Sequence, residues 1–149
     1  MIDLIIFLSL LAVGYAAGSW AEKRHYRSIA NRENATINLP AVTLKSVEIP
    51  EHKIRSARLV WGSAVISVDY FKRILAGLRN IFGGKVKSYE SLLDRARREA
   101  LLRMKEMAGD STVIVNVRIE TSAIGKQSKR KNIGCLEAMA YGTALTVEE

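Results

Sequence analysis

The chain opens with a long apolar run, after which apolar and charged residues alternate. Eighteen residues from Leu4 to Ala21 carry no charge, a length near the lower end of what crosses a bilayer core of roughly 30 Å as a helix. Asp3 precedes this run, Glu22 follows it, and Trp20 lies where interfacial aromatic anchors are found. The pattern predicts a transmembrane anchor over residues 1–22.

A cleaved signal peptide is the alternative interpretation, since the small residues Ala16, Ala17 and Gly18 lie near the end of the run. Signal peptides begin with a basic segment, and here no Lys or Arg precedes the apolar residues. We therefore expect a permanent anchor. Within it, Gly14 and Gly18 form a G-x-x-x-G pattern of the kind that pairs membrane helices.

The flanking charges predict the orientation of this anchor. Lys23, Arg24 and Arg27 follow the run, whereas Asp3 precedes it, and positive residues accumulate on the cytoplasmic side of membrane helices. We expect a single-pass protein of the inner membrane with its amino terminus outside and its carboxy-terminal domain in the cytoplasm. The three cations and Trp20 are the predicted membrane-surface contacts, each cation contributing about 1 kcal/mol against anionic headgroups.

Residues 23–40 are polar and mixed in charge. They predict a juxtamembrane segment that extends the helix by a few turns and then becomes a linker. The folded domain is predicted over residues 41–149. It begins with a short strand between Pro40 and Pro50, with a break near Ser46.

A longer strand and a helix follow in the domain. Residues 56–68 are rich in β-branched and aromatic side chains, and Gly62 among them indicates a bulge or a close backbone approach. An apolar stripe at helical spacing then extends from Ile74 to Phe82. This helix ends at a structural turn made by Gly83 and Gly84.

The next helix is predicted between Ser88 and Gly109. Its apolar stripe includes Ala96, Ala100 and Met104 at helical spacing.

Two further features of this helix bear on its surroundings. Leu101 and Leu102 extend its apolar surface sideways, which indicates a second packing partner. Glu99 and Arg103 are spaced as an i,i+4 ion pair, worth a few tenths of a kcal/mol.

The last third of the chain predicts two strands joined by a loop. In the first strand apolar residues alternate with more polar ones, so one face is expected to be buried and the other mostly wet; the buried set is Val113, Val115, Val117 and Ile119. Residues 125–132 predict a long polar hairpin loop. The returning strand carries small residues that suit contact with a neighbouring subunit, Ala138, Ala140 and Gly142.

Several residues fall in a recognisable order along the domain. They are Leu78-Arg79-Asn80-Ile81 leading into Gly83-Gly84, then Tyr89, Ala96-Arg97, Ala100, the strand from Val113 to Val117, and Gly142-Thr143-Ala144. Together they resemble the YbjQ-like family, labelled a heavy-metal-binding domain of unknown function. The resemblance covers residues 48–148, and the step into the strand, Gly109-Asp110-Ser111-Thr112, departs from the family's Gly-Ala-Asp-Ala.

The resemblance implies an α+β fold. Its core would be a β-α-β-β unit similar to a dodecin subunit, with helices covering an antiparallel sheet, assembled into a symmetric ring that is typically a pentamer. No activity is established for the family. Independently of the resemblance, a sheet with helices on one side leaves its other face in need of cover. Both arguments predict a homo-oligomer.

The distribution of charge bears on the choice of other partners. The formal net charge is +8, and the chain from Lys23 onward is +10, since 23 basic and 13 acidic residues lie there. Such a charge favours polyanions or anionic lipid headgroups. The densest cationic cluster, in the predicted loop, is expected to stay solvated or to contact an acidic protein or anionic lipid; it comprises Lys126, Lys129, Arg130 and Lys131. It lacks interleaved aromatic residues that stack on bases, so no nucleic-acid partner is expected.

The sequence assembles no set of chemically active residues. Cys135, His25 and His52 lie far apart, whereas zinc sites take three or four protein ligands, so we expect neither a bound metal nor a cofactor. Lys85 after the glycine pair lacks the spacing and the hydroxyl neighbour of a phosphate-binding loop. No serine or cysteine has a base at hand for nucleophilic catalysis, and we expect no enzymatic activity.

These observations predict a non-enzymatic, membrane-anchored ring or scaffold that organises lipids or partner proteins. The alternative hypothesis is a small-ligand or metal-binding module with its sites at subunit interfaces, where a ring would bring identical side chains together.

Overall fold

The computed structural model describes residues 2–45, 47–67, 87–124 and 135–148. A long helix comes first, and a short 3₁₀ turn leads into the first strand. A second helix and two further strands follow. The elements are α1 (Ile2–Ala35), the turn Glu51–Lys53, β1 (Ile54–Ser67), α2 (Lys87–Ala108), β2 (Val113–Ile124) and β3 (Cys135–Val147).

The described strands form an antiparallel sheet in the order β1-β3-β2. The α+β class predicted from the sequence is therefore confirmed. Strand β3 lies in the centre, where Ala140 is opposite Gly62 of β1 and Ile119 of β2. Ile124 at the end of β2 is opposite Cys135 at the start of β3, as consecutive antiparallel strands require.

Helix α2 covers one face of this sheet with the stripe that its spacing predicts. Ala96, Ala100 and Met104 are fully buried. They share one cluster with side chains of all three strands, including Val60, Ala64, Ile114, Ala138 and Ala140. The alanines on both elements let the helix lie close to the sheet. Each alanine buries little apolar area, but the close approach makes the interior densely packed.

The small residues of β3 do not lie where the sequence analysis places them. Ala138 and Ala140 are fully buried beneath α2. Gly142 lies against Ile114 and Val117 of β2. The expectation that these small residues lie at a subunit contact is wrong, because their smallness serves packing within one chain.

Gly62 is the point where β1 approaches α2 most closely. A Cβ atom at this position would lie 2.5 Å from the carbonyl oxygen of Ala100 and 2.5 Å from the amide nitrogen of Met104. Of the two alternatives that the sequence left open, the close approach is confirmed. The register between β1 and β3 passes through Gly62 without a shift.

A bulge in β2 changes which of its residues face α2. The register with β3 shifts around Asn116, whose φ is 53°, a conformation that asparagine tolerates better than most residues. Ile114 before the bulge and Val117 after it both join the cluster under α2, whereas Val113 and Val115 join a second cluster. The predicted simple alternation is therefore wrong, because the extra residue reverses the facing of the strand.

Residues 40–44 lie along the edge of β2, but neither residues 40–45 nor residues 47–49 form the predicted strand. Ala41 makes a parallel bridge with Ile114, and the amide of Val42 donates to the carbonyl of Ile114 at 2.9 Å. The bulge at Asn116 interrupts a regular ladder here, so a single bridge replaces the strand. Apolar side chains of this segment cover the second cluster, namely Val42, Val47 and Ile49.

Four sequence predictions fall outside the described residues. They are the break near Ser46, the helix from Ile74 to Phe82, the turn at Gly83 and Gly84, and the loop over residues 125–132 with its four basic side chains. They stay predictions.

Replacing Gly62 tests the close approach of β1 to α2. We expect Gly62→Ala to lower the free energy of unfolding by about 1–3 kcal/mol, the usual cost of overpacking, because the new methyl would meet helix backbone that cannot rotate away. Thermal unfolding of the full-length protein in mild detergent, followed by circular dichroism, measures this loss.

Two control variants accompany this measurement. Gly142→Ala should cost less, since its Cβ would lie 3.0 Å from its nearest neighbours. Ser63→Ala, on the opposite face of β1, should leave the melting temperature nearly unchanged. A wild-type melting temperature for Gly62→Ala would contradict the packing described here.

Candidate functional site: the junction of α1 and α2

Helix α1 extends over 34 residues from Ile2 to Ala35 without a break. It is the one helix in the described part of the chain that is long and apolar enough, by length and composition, to cross a membrane, and none of its most apolar window is buried. Large side chains such as Phe7, Leu10 and Val13 are all more than half exposed. The apolar half of α1 therefore projects away from the domain.

The polar half of α1 packs against α2. Its contacting side chains recur at helical spacing and include Tyr26, Arg32 and Glu33, and Ile29 in the middle of the series is fully buried. Because α1 continues to Ala35, helix accounts for most of the segment predicted as a helical extension followed by a linker. We call this contact the junction.

Glu99 lies at the centre of the junction and is 4% exposed. Its carboxylate accepts hydrogen bonds from Arg32 Nη1 on α1 and from Arg103 Nε on its own helix, both at 2.8 Å, and His25 Nε2 lies 3.6 Å away. Burial disfavours the charged form, but the two guanidinium groups outweigh it, so the pKa of the Glu99 carboxyl lies below its ordinary value. The i,i+4 pair predicted between Glu99 and Arg103 is confirmed.

Two bidentate ion pairs flank Glu99. Arg32 donates to both oxygens of Glu106, at 2.6 and 2.9 Å, and Arg98 donates to both oxygens of Glu33, at 2.8 and 2.6 Å. Hydrogen bonding to Arg98 lowers the pKa of the Glu33 carboxyl, and hydrogen bonding to Glu106 and Glu99 raises the pKa of Arg32. Bidentate pairs fix orientation as well as distance, so they hold the two helices in one relative rotation.

Hydrogen bonds to backbone carbonyls close the junction at its two ends. The hydroxyl of Tyr26 donates to the carbonyl of Ser91 at 2.9 Å, and Lys105 Nζ donates to the carbonyl of Thr36 at 3.2 Å. The contact thus extends over about three turns on the side of α1 and about four turns of α2.

The sideways apolar surface predicted on α2 borders a cleft at the junction. Leu102 is 2% exposed, and together with Leu101 and Ile37 it lines this cleft beside the carboxy-terminal end of α1. Leu101 also packs against the cluster beneath α2, and the second packing partner of Leu101 and Leu102 stays a prediction.

The predicted membrane-surface residues lie on α1 away from α2. Lys23, Arg24 and Arg27 are exposed, and Trp20 is 64% exposed. The Arg24 guanidinium lies 5.5 Å from the centre of the Trp20 ring, within the range of a cation–π contact. These side chains are free of the junction, and their contact with a membrane stays a prediction.

The residues considered as metal ligands lie on three different elements. His25 is at the junction, His52 is in the exposed 3₁₀ turn, and Cys135 is a half-buried free thiol on β3. Among the residues that the structure describes, no group of three or more His, Cys, Asp or Glu is placed to hold a metal ion.

The sheet face opposite α2 is only partly covered. It exposes four large apolar side chains of β1 and β3: Leu59 by 67%, Trp61 by 48%, Val65 by 55% and Met139 by 40%. No described segment pairs with the outer edge of β1. We call this surface the open face; exposed apolar side chains beside a free strand edge are typical of an interaction surface.

The junction is the feature that sequence reasoning missed. A search for apolar periodicity fails there, because Ile29 is its one fully buried apolar residue on α1. A signal was nevertheless present: Arg32 and Glu33 are opposite in charge to Glu99 and Arg98, their partners on α2.

The described residues form an α+β domain in which a helix covers one face of an antiparallel sheet. A long, partly apolar helix packs against the side of this domain. Residues 41–148 match the sequence profile of the family YbjQ_1, described as "Putative heavy-metal-binding". The chain belongs to this family. Helix α1 lies outside the matched residues, so the junction joins the family domain to a segment beyond the match.

Two sequence relatives support this assignment, and one solved structure is also similar to the chain. The chain is 40% identical over 97 residues to a UPF0145 protein of Hahella chejuensis, covering 64% of this chain and 86% of that protein. It is 39% identical over 104 residues to a UPF0145 protein of Dehalococcoides mccartyi, covering 68% and 93%. A crystal structure of a DUF74 family protein of unknown function from Pediococcus pentosaceus matches with a TM-score of 0.47 and 14% identity, over 74% of this chain and 98% of that chain.

The buried carboxylate makes the junction sensitive to acid. A carboxyl whose pKa is lower in the folded state stabilises that state above its unfolded pKa, near 4.5 for Glu99 and Glu33, and this contribution is lost as the pH falls through the folded pKa. We expect the protection of residues 22–35 against hydrogen–deuterium exchange, taken relative to the intrinsic exchange rate at each pH, to fall below about pH 4.5.

Glu99→Gln should raise this exchange already at neutral pH and flatten its dependence on pH. Glu120→Gln, at an exposed position of β2, is the matched control and should behave as wild type. Equal exchange in Glu99→Gln and wild type at neutral pH would contradict the role given to Glu99.

Proposed function

We propose that this protein is a non-enzymatic, single-pass membrane protein whose YbjQ-family domain self-associates and forms a scaffold at the membrane. The observation that carries the proposal is the division of α1 into two halves. One half is apolar and unburied, and the other is ion-paired to the domain.

The exposed half of α1 supports insertion into a bilayer. Apolar surface in water costs roughly 25 cal/mol per Å² relative to an apolar environment, and here it is continuous along eighteen uncharged residues. A helix satisfies its own backbone hydrogen bonds, as the hydrocarbon core requires. Insertion into a membrane would therefore remove the apolar side chains of this half of α1 from water.

The flanking charges support an inner-membrane location with the domain in the cytoplasm. Lys23, Arg24 and Arg27 are exposed and follow the apolar run directly. Cations in this position favour the cytoplasmic side and attract anionic headgroups.

The open face supports self-association. Trp61, Val65 and Met139 lie on the side of the sheet away from α2, beside an edge of β1 with which no described segment pairs. A closed ring needs a head-to-tail contact, in which the open face of one copy meets a different surface of the next copy. We propose a ring of the dodecin-like kind, with five subunits as the first model, that gathers the membrane helices and organises lipids or acidic partners around them.

The alternative of a metal or small-ligand module rests on the family description alone. The donor-type residues His25, His52 and Cys135 lie on separate elements, and no described feature favours this alternative over the scaffold.

Insertion of α1 predicts resistance to alkaline carbonate extraction. Full-length protein should stay with the membrane pellet, whereas a variant carrying Leu10→Arg and Val13→Arg should be released, since each arginine near the centre of a span costs about 2.5–3.5 kcal/mol. Ser28→Arg with Asn31→Arg, at exposed positions of the polar half, is the matched control and should stay in the pellet. Release of the wild-type protein would overturn the anchor.

If the open face is the interface between copies, charged side chains introduced on it should lower the mass of the oligomer. We expect Trp61→Glu with Val65→Glu to reduce the oligomer to smaller species, measured by light scattering in mild detergent. Leu44→Glu changes an equally exposed apolar residue, 63% accessible, on the segment at the edge of β2, and should keep the wild-type mass. An unchanged mass in the double variant would exclude the open face as the interface.

A further inference from the structure

Contacts at the junction show that α1 and α2 run in the same direction. Tyr26 of α1 contacts Ser91 near the start of α2, and Glu33 contacts Arg98 about two turns later on both helices. Lys105, near the end of α2, reaches back to the carbonyl of Thr36. Advancing along one helix therefore means advancing along the other.

Strand β1 runs in the opposite direction along α2. The guanidinium of Arg58, near the start of the strand, bonds the carbonyl of Ala108 at the end of the helix. Arg103, about a turn earlier on α2, bonds the carbonyl of Ser63 at 2.8 Å. Ser67 at the end of β1 accordingly lies toward the start of α2.

These directions define two ends of the domain. The proximal end contains the start of α2 at Lys87, the end of β1 at Ser67, and the paired residues Ile124 and Cys135. The distal end contains Gly109 after α2 and the strand ends Ile54, Val113 and Val147. The apolar half of α1 leaves the domain on the proximal side, because residues before Tyr26 extend past the start of α2.

The junction makes this arrangement stiff. Between Ser19 and Ala35 the chain contains neither proline nor glycine, the residues at which helices usually kink. Trp20 lies six residues before Tyr26, about 9 Å along the helix axis. The ion pairs of Arg32 and Arg98 then fix the domain to that axis.

We infer that the proximal end of the domain is a membrane-facing surface, held against the lipid headgroups by the junction. This inference rests on the proposed membrane anchor and adds to it the orientation of the domain and the surface that meets the lipid. The 22 residues of α2 place the distal end about 33 Å farther along the helix. The paired residues Ile124 and Cys135 belong to the membrane-facing end.

Depth measurements with spin labels test the orientation. The full-length protein with Cys135→Ala is placed in phosphatidylcholine–phosphatidylglycerol vesicles that contain a nickel-chelating lipid, and single nitroxide labels are attached through Ser67→Cys or Asp110→Cys. Both positions are exposed, and they lie at opposite ends of the domain. We expect relaxation enhancement by the surface nickel to be several-fold larger at position 67 than at position 110. Equal enhancement, or a larger value at position 110, would overturn the inference.

A variant of the junction tests what holds the orientation. Arg32→Gln with Glu33→Gln should bring the two enhancements together while circular dichroism shows that the domain still melts cooperatively. A preserved difference between the two positions would overturn the role of the junction.

A third label separates this inference from the anchor itself. A nitroxide at Val13→Cys should show the high oxygen accessibility of a bilayer interior. Low accessibility there would overturn the anchor and the orientation together, whereas an inserted Val13 with equal enhancement at the two ends would overturn the orientation alone.

Discussion

The packing of α1 against α2 depends on one buried carboxylate that accepts hydrogen bonds from both helices. Glu99 is removed from water, and a charge in that position is tolerated only with partners that satisfy it. One partner, Arg103, comes from its own helix, and the other, Arg32, comes from α1. The charge of Glu99 is therefore fully compensated only when α1 is docked, which ties the apolar helix to the domain more firmly than a flexible linker would.

Helix α2 makes this possible because its two sides are chemically distinct. Its alanines permit close contact with the sheet, to the point that Gly62 leaves no room for a methyl group, while its long charged side chains point to α1. The sheet in turn has one face covered by α2, and among the described residues its other face is covered in part by the segment before β1. Apolar side chains of the sheet are thus buried on the side of α2, whereas Trp61 and its neighbours on the open face are exposed.

Much of this arrangement was predictable, and the failures have identifiable causes. Spacing predicted the apolar stripe of Ala96, Ala100 and Met104. A glycine within a run of β-branched residues predicted a bulge or a close approach at Gly62. Both signals are local in the sequence. The bulge at Asn116 was missed because one extra residue leaves the apolar composition of β2 unchanged while reversing its facing. The junction was missed because its stripe is ionic, and charged residues at helical spacing look the same on a solvated surface as in a contact. The burial of Ala138 and Ala140 of β3 depends on α2 lying above them, and the local sequence of β3 does not show which element packs there.

The unbroken course of α1 has a consequence for how two copies of this helix would meet if they span a membrane side by side, as we propose. Gly14 and Gly18 lie eleven residues before His25 and Ile29, about three turns, so both glycines point to the same side of the helix as α2. A second helix seated along those glycines and running parallel to the first would collide with the attached domain just beneath the membrane. Close pairing there requires the steep right-handed crossing typical of such glycine motifs, which carries the helices apart before they reach α2. In the membrane-anchored arrangement that we propose, the domain would therefore restrict the crossing angles at which two such helices can pair.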